Sequence, residues 1–170
     1  EKARIAEVAC QMISKRDVVF IDAGTTTEFL IEKLHHLDVT VVTNSIHHAA
    51  ALVDKGIKTI IIGGTVKLST DASVGQMAVE QVNQLNLDKA FIGMNGIDND
   101  FLTTPDLDEA AIKRAVIANS QQTFVLADAS KLGQKAFVKV DTVDKVAIIT
   151  EKCETAVLQE LQKKTRVIEV

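Results

Sequence analysis

The stretch VVFIDAGTTTE, residues 18–28, reads as a strand, a tight turn and the start of a helix. Its apolar run ends in an acid and a glycine. Three threonines then open a segment in which Phe29, Leu30, Leu34 and Leu37 recur at helical spacing. A glycine at such a turn permits backbone geometry, and a close ligand approach, that a Cβ would hinder. The threonines bring hydroxyls and free N–H groups to a helix N-terminus, an arrangement that suits an anion and above all a phosphate. The same residues also admit a plainer reading. Thr25 followed three residues later by Glu28 is a capping box that would simply start the helix well.

Upstream of this stretch, Ile5, Val8, Ala9, Met12 and Ile13 repeat at helical spacing, which predicts an amphipathic helix over residues 2–15. Downstream, the first helix after the turn is expected to run to about His36. Six further strands are predicted at 39–42, 58–62, 90–92, 123–127, 145–149 and 166–170. Helices are predicted at about 46–53, 74–85, 107–120 and 155–163, while 64–73 reads as turn-rich and 98–105 as irregular. Alternation of this kind predicts an α/β fold with a mostly parallel sheet and helices on both faces, in one domain spanning 1–170. In such sheets ligands bind outside the carboxyl ends of the strands. Here five of those ends carry small or polar residues, Asp22 to Thr25, Thr43 to Ser45, Gly63-Gly64, Gly93 and Asp128 to Lys131, which predicts one polar rim for a small, hydroxylated, anionic ligand.

Composition narrows the function. The net charge is −4 and no run of Lys and Arg stands out, so the chain lacks the basic footprint of a DNA-binding surface. Aromatic residues are only 4%, with no Trp or Tyr, which argues against a platform for stacking bases. Cys10 and Cys153 are isolated and read as reduced thiols, pointing to a cytoplasmic protein with neither disulfide nor metal. No apolar run is long enough for a membrane span and no signal peptide is visible. The start at Glu1 rather than Met reads as a fragment or a processed form.

Individual candidates carry competing roles. The turn matches neither G-x-G-x-x-G nor a Walker-type GK[ST], so nucleotide cofactors are not expected. Lys113 is a candidate phosphate contact or an ordinary helix lysine paired with Glu109 at i, i+4. Lys131, in a strand-end loop, is placed to reach the rim. Asp22 and Asp128 could orient sugar hydroxyls, act as bases, or brace neighbouring loops. The adjacent pairs His35-His36 and His47-His48 diverge too far on a helix to share a metal, and His48 alone could border the pocket.

The ordered set DAGTTT (22–27), VVTNS (41–45), IGG (62–64), FIGMNGI (91–97), Glu109 with Lys113, and LADASKLG (126–133) resembles the C-terminal sensor domain of DeoR-type bacterial transcriptional regulators. The resemblance implies a fold similar to ribose-5-phosphate isomerase, glucosamine-6-phosphate deaminase and CoA transferases. It also implies a non-enzymatic role in sensing a phosphorylated sugar, self-association, and contact with DNA only through a winged helix-turn-helix that precedes this domain in family members and is absent from these residues. It assigns phosphate binding to Gly24, Thr25, Thr26 and Thr27, with Asp22 bracing the turn or meeting a sugar hydroxyl. Asn44, Gly64, Gly93 and Gly96 would line the pocket. Lys113 and Lys131 would neutralise phosphate or anchor loops, beside Asp128 and Ser130. A sugar-phosphate isomerase or deaminase using Asp22, Asp128 or Glu109 as base is the rival function.

Overall fold

The computed structural model describes residues 1–35 and 38–170, so the expectations for His36 and Leu37 lie outside the described residues. The chain runs α1 (Lys2–Gln11), β1 (Val18–Ile21), α2 (Thr25–Lys33), β2 (Thr40–Thr43), α3 (Ile46–Asp54) and β3 (Lys58–Ile61). A hairpin of β4 (Thr65–Val66) and β5 (Ser73–Val74) leads to α4 (Gln76–Val82) and β6 (Leu87–Gly93). There follow β7 (Gly96–Ile97), β8 (Phe101–Thr104), α5 (Leu107–Ala118), β9 (Ser120–Leu126), β10 (Val138–Thr142), β11 (Ala147–Thr150), α6 (Ala156–Lys164) and β12 (Val167–Glu169).

Seven strands form one all-parallel sheet in the order β12, β11, β9, β6, β1, β2, β3. The apolar runs of the inner strands lack polar alternation because both faces are covered. Val19 and Ile21 of β1 join Phe91, Phe124 and Ile149 in a core closed by Ile5 and Ala9 of α1, Leu30 of α2 and Leu52 of α3. The Phe91 and Phe124 rings stack there with centroids 5.3 Å apart. The alternate residues Phe20, Ala90, Ile92, Val125 and Ile148 enter a second core with Ala78 of α4, Val116 of α5 and Leu161 of α6.

Two small antiparallel sheets depart from the predicted pattern. Residues 98–105, expected to be irregular, contain β8, which pairs with β7 and β10. Its Leu102 and the Val140 of β10 cover the side of α5 that faces away from the large sheet. A helix sandwiched this way buries more than one stripe, and Ile112, Lys113, Ala115, Val116 and Ile117 are all buried. Gly96 belongs to this packing. A Cβ on it would lie 2.5 Å from the Gln134 carbonyl oxygen and the Thr103 hydroxyl.

The chain starts at β1, proceeds outward through β2 and β3, and then returns to the opposite side of β1 to lay down β6, β9, β11 and β12. Strand order therefore reverses between β1 and β6, and the crevice at their carboxyl ends is where an open α/β sheet holds its ligand. Among the described residues no helix is long and apolar enough to cross a membrane.

Candidate functional site

Asp22 leaves the end of β1 directly at this reversal. Its backbone N–H donates to the Phe91 carbonyl at 3.0 Å, and its carboxylate accepts from the backbone N–H groups of Ala23 (3.0 Å) and Gly93 (3.2 Å). The remaining demand is met by the Lys113 ammonium, which also donates to the Gly93 carbonyl at 3.0 Å. Both partners are buried, Asp22 4% and Lys113 7% exposed. Lys113 therefore does not form the expected helical pair with Glu109. It ties α5 to the carboxyl ends of β1 and β6, and Glu109 pairs instead with Lys67 of the β4–β5 hairpin at 3.3 Å. Lys67 also bridges to Asp106, the α5 N-cap, whose carboxyl it holds below the usual range.

The threonine turn does not form a capping box. Gly24 is the N-cap of α2, with φ 143° and ψ 169°, and no side chain caps the helix. That backbone region is essentially reserved for glycine. By contrast Ser45, Asp106 and Thr155 each cap their helix with a side-chain oxygen. Thr25 accepts from Lys2 Nζ through its hydroxyl at 2.8 Å. Thr27 turns the other way: its hydroxyl lies 2.6 Å from the Asp22 carbonyl and 3.0 Å from His48 Nε2. A hydroxyl has one proton, which the carbonyl takes, so Nε2 is the donor to Thr27 and Nδ1 is left as a bare acceptor without a partner.

A cleft of about 240 Å³ opens over this turn. Gly24, Thr25, Thr26, Thr27, Gly93, Lys113, Asp128 and Lys131 line it, together with Lys2, Thr70, Met94, Asn95 and Glu109. Asp22 does not line it and acts behind it, by holding the lining residue Lys113. Ser130 supports Asp128, donating its N–H to the carboxylate at 2.9 Å. Partial burial pushes the Asp128 carboxyl upward, but the Ser130 hydroxyl and N–H, together with the charges of Lys131 and Lys2, outweigh it and hold the group below the usual range. Among the described residues neither Lys2 nor Lys131 makes an ion pair. Two unpaired ammonium groups thus flank an uncapped helix N-terminus. Lys2 is a lining residue that motif reading passes over. The signal was topological: a helix feeding a parallel strand runs back along it, so α1 begins at the sheet's carboxyl edge.

The expected rim divides at β1. Asn44, at the end of β2, is buried and donates to the Ser73 carbonyl at 3.0 Å, fastening the β4–β5 hairpin. Gly64 has φ 149°, and a Cβ there would lie 2.6 Å from the Val74 carbonyl oxygen. With Gly96 in the small sheet, these three pack the scaffold and do not line the cleft. A second cleft of about 330 Å³ adjoins the first, sharing Ala23, Gly24, Thr25, Thr70 and Glu109 with it and extending toward Glu28, Ser45, His47, His48, Ser69 and Asp71. Among the described residues no cluster of His, Cys, Asp or Glu could hold a metal, and Cys10 and Cys153 are free thiols.

His48 is 3% exposed, and burial lowers its pKa below 6.5 against the opposing pull of Asp22. Between the folded value and 6.5 the unfolded chain binds more protons than the native one, so stability rises with pH across that window. The lowered carboxylates act only below 3.8. Urea unfolding from neutrality down to about pH 5 is expected to show stability falling on acidification, and His48→Gln is expected to flatten that slope. A slope unchanged by the substitution would remove His48 as its source.

Residues 1–152 match the family described as the DeoR C terminal sensor domain. The chain is 37% identical over 167 residues to the HTH-type transcriptional regulator FruR of Bacillus subtilis, covering 97% of this chain and 66% of that protein. It is 33% identical over 155 residues to the glycerol-3-phosphate regulon repressor of Escherichia coli, covering 89% and 62%. It thus spans slightly under two thirds of these relatives. Among solved structures, ribose 5-phosphate isomerase A of Methanocaldococcus jannaschii superposes with a TM-score of 0.57 over 77% of this chain and 53% of that one, at 18% identity, a likeness of fold. With the strand ends DAGTTT, FIGMNGI and LADASKLG gathered at one sheet reversal and the family match running through all three, the chain belongs to the DeoR C-terminal sensor domain family.

Proposed function

We propose that this domain is the effector-binding part of a carbohydrate-responsive transcriptional repressor, holding a phosphorylated sugar in the cleft at the β1–β6 reversal. The observation that carries this reading is the uncapped first turn of α2 flanked by the unpaired Lys2 and Lys131. Backbone N–H groups, the helix dipole and two ammonium groups together suit a dianionic phosphate. Each charge-assisted bond contributes about 1.5–3 kcal/mol net, so three or four supply about 5–12 kcal/mol toward the roughly 8 kcal/mol that micromolar binding requires beyond association costs, and the sugar contacts add to them. Thr70, Asn95 and Glu109 would meet the sugar hydroxyls. Lys2 lies at the start of α1, so a phosphate that draws it from Thr25 alters the helix leading out of the domain. Occupancy is then reported to a DNA-binding segment of the longer protein, provided the ligand binds the two states unequally.

Binding without conversion fits the acids in the cleft. Asp22 accepts from two backbone N–H groups and Lys113, Glu109 is paired with Lys67, and Asp128 accepts from the Ser130 N–H and hydroxyl, so each carboxylate is already engaged. Incubation with ribose and hexosamine phosphates is expected to give saturable binding by calorimetry and no product by mass spectrometry. Turnover would favour the isomerase or deaminase reading. Lys131→Gln should weaken a phosphorylated ligand about 10- to 100-fold with no change in melting temperature. An unchanged dissociation constant would remove Lys131 from the site.

A further inference from the structure

The two edges of the large sheet are finished differently. At one end β12 is three residues long and carries Glu169 beside Arg166. At the other, β3 bonds to β2 on one side only among the described residues, and Lys58 at its start is its single charge. Ile60 and Ile61 of this edge are exposed. Natural edges are normally blunted by charges, proline or bulges, and β3 has one lysine.

The surfaces beside that edge are apolar as well. On α3, Ile46, Ala50 and Val53 stand at i, i+4 and i+7 and all face outward, Val53 62% exposed. This stripe lies on the face of the sheet toward which Ile61 points, since Ile61 pairs with Thr43, in line with the inward Val41. On the opposite face, beside Ile60, Gln81 of α4 accepts from Gly63 N–H just past the strand, and one turn earlier stands Met77, 67% exposed. Val66, exposed on β4, follows within a few residues.

We infer that the β3 edge is the contact between two copies of this chain, which pair β3 to β3 antiparallel about a two-fold axis perpendicular to the sheet. Such an axis keeps like faces together, so the α3 stripe of one copy meets the α3 stripe of the other. The surface is then self-complementary, as a two-fold contact requires. The six exposed side chains Ile46, Val53, Ile60, Ile61, Val66 and Met77 offer roughly 500 Å² of apolar area per copy, which matches the apolar share of a standard interface of ~800 Å² per partner. The proposed ligand cleft opens at the carboxyl ends of β1, β6 and β9, away from this edge, so the contact leaves it accessible.

Sedimentation velocity of the chain across the micromolar range is expected to show a dimer. Ile60→Lys combined with Val53→Glu should raise its dissociation constant at least about 100-fold while the circular dichroism spectrum stays native. As a check that does not depend on tolerating two new charges, single cysteines at Thr59, Ile60 and Ile61 in a Cys10→Ser, Cys153→Ser background are expected to give a disulfide-linked dimer on mild oxidation at the position that the two-fold axis sets opposite itself. A monomeric wild type at the top of the range would overturn the inference, as would a dimer that persists in the charged variant or a set of three cysteine chains none of which links.

Discussion

Replacing Lys113 with methionine is expected to destabilise the domain by about 3–5 kcal/mol, the cost of leaving a buried carboxylate without its counter-ion. Met fills the aliphatic volume, so the loss reports charge and not packing. Asp22 retains its bonds from Ala23 and Gly93 N–H, but those two donors replace neither the ammonium nor the water excluded from this position. The pair also joins α5 to the ends of β1 and β6, so its loss loosens the elements that shape the cleft. Measured against a total stability of about 5–15 kcal/mol, the variant sits near the limit of folding. Adding Asp22→Asn should return a good part of the loss, because the amide needs no counter-charge. A single-variant effect below about 1 kcal/mol, or no recovery in the double variant, would mean that the pair is solvated in solution.

Thr26→Glu separates binding from folding by the sign of its two effects. A carboxylate in the uncapped first turn of α2 meets the positive end of the helix dipole, so the unliganded domain should gain about 0.3–1 kcal/mol. The same carboxylate occupies the place proposed for phosphate, and like charges at close range cost several kcal/mol, so affinity for a phosphorylated sugar should fall by more than about 100-fold. A substitution that merely damaged the turn would lower both quantities. Were stability to rise with affinity unchanged, the phosphate would have to sit elsewhere.

The seven parallel strands and the turn that organises them were legible because most of the strands hold an apolar run closed by a glycine or a small polar residue, and β1 with Asp22 to Thr27 is the clearest case. The small sheets were not. β7 has two residues and β8 four, too few for alternation to declare itself, and β10, which pairs with β8, begins only at Val138, after α5 and β9. Among site residues, Gly24 and the threonines could be read locally, since a turn into a helix is a local event. The partner of Lys113 could not, because 91 positions separate it from Asp22 and only the strand reversal brings them together. Asn44, Gly64 and Gly96 share the small, polar character of ligand-lining residues. Close backbone packing selects the same residue types, so sequence could not separate the two uses. The second shared cause is topological: the sheet reverses at β1, which puts the end of β2 beyond the threonine turn and leaves β1, β6 and β9 to frame the cleft.

The claim that a phosphate is held by the first turn of α2 is tested most directly by calorimetric titration with a sugar phosphate and the same sugar lacking phosphate, against the wild-type chain and Lys2→Gln. The expected result is micromolar binding of the phosphorylated sugar by the wild type, no detectable heat from the free sugar, and affinity reduced about 10- to 100-fold by Lys2→Gln. Equal affinity for the two sugars, or binding indifferent to Lys2, would contradict it.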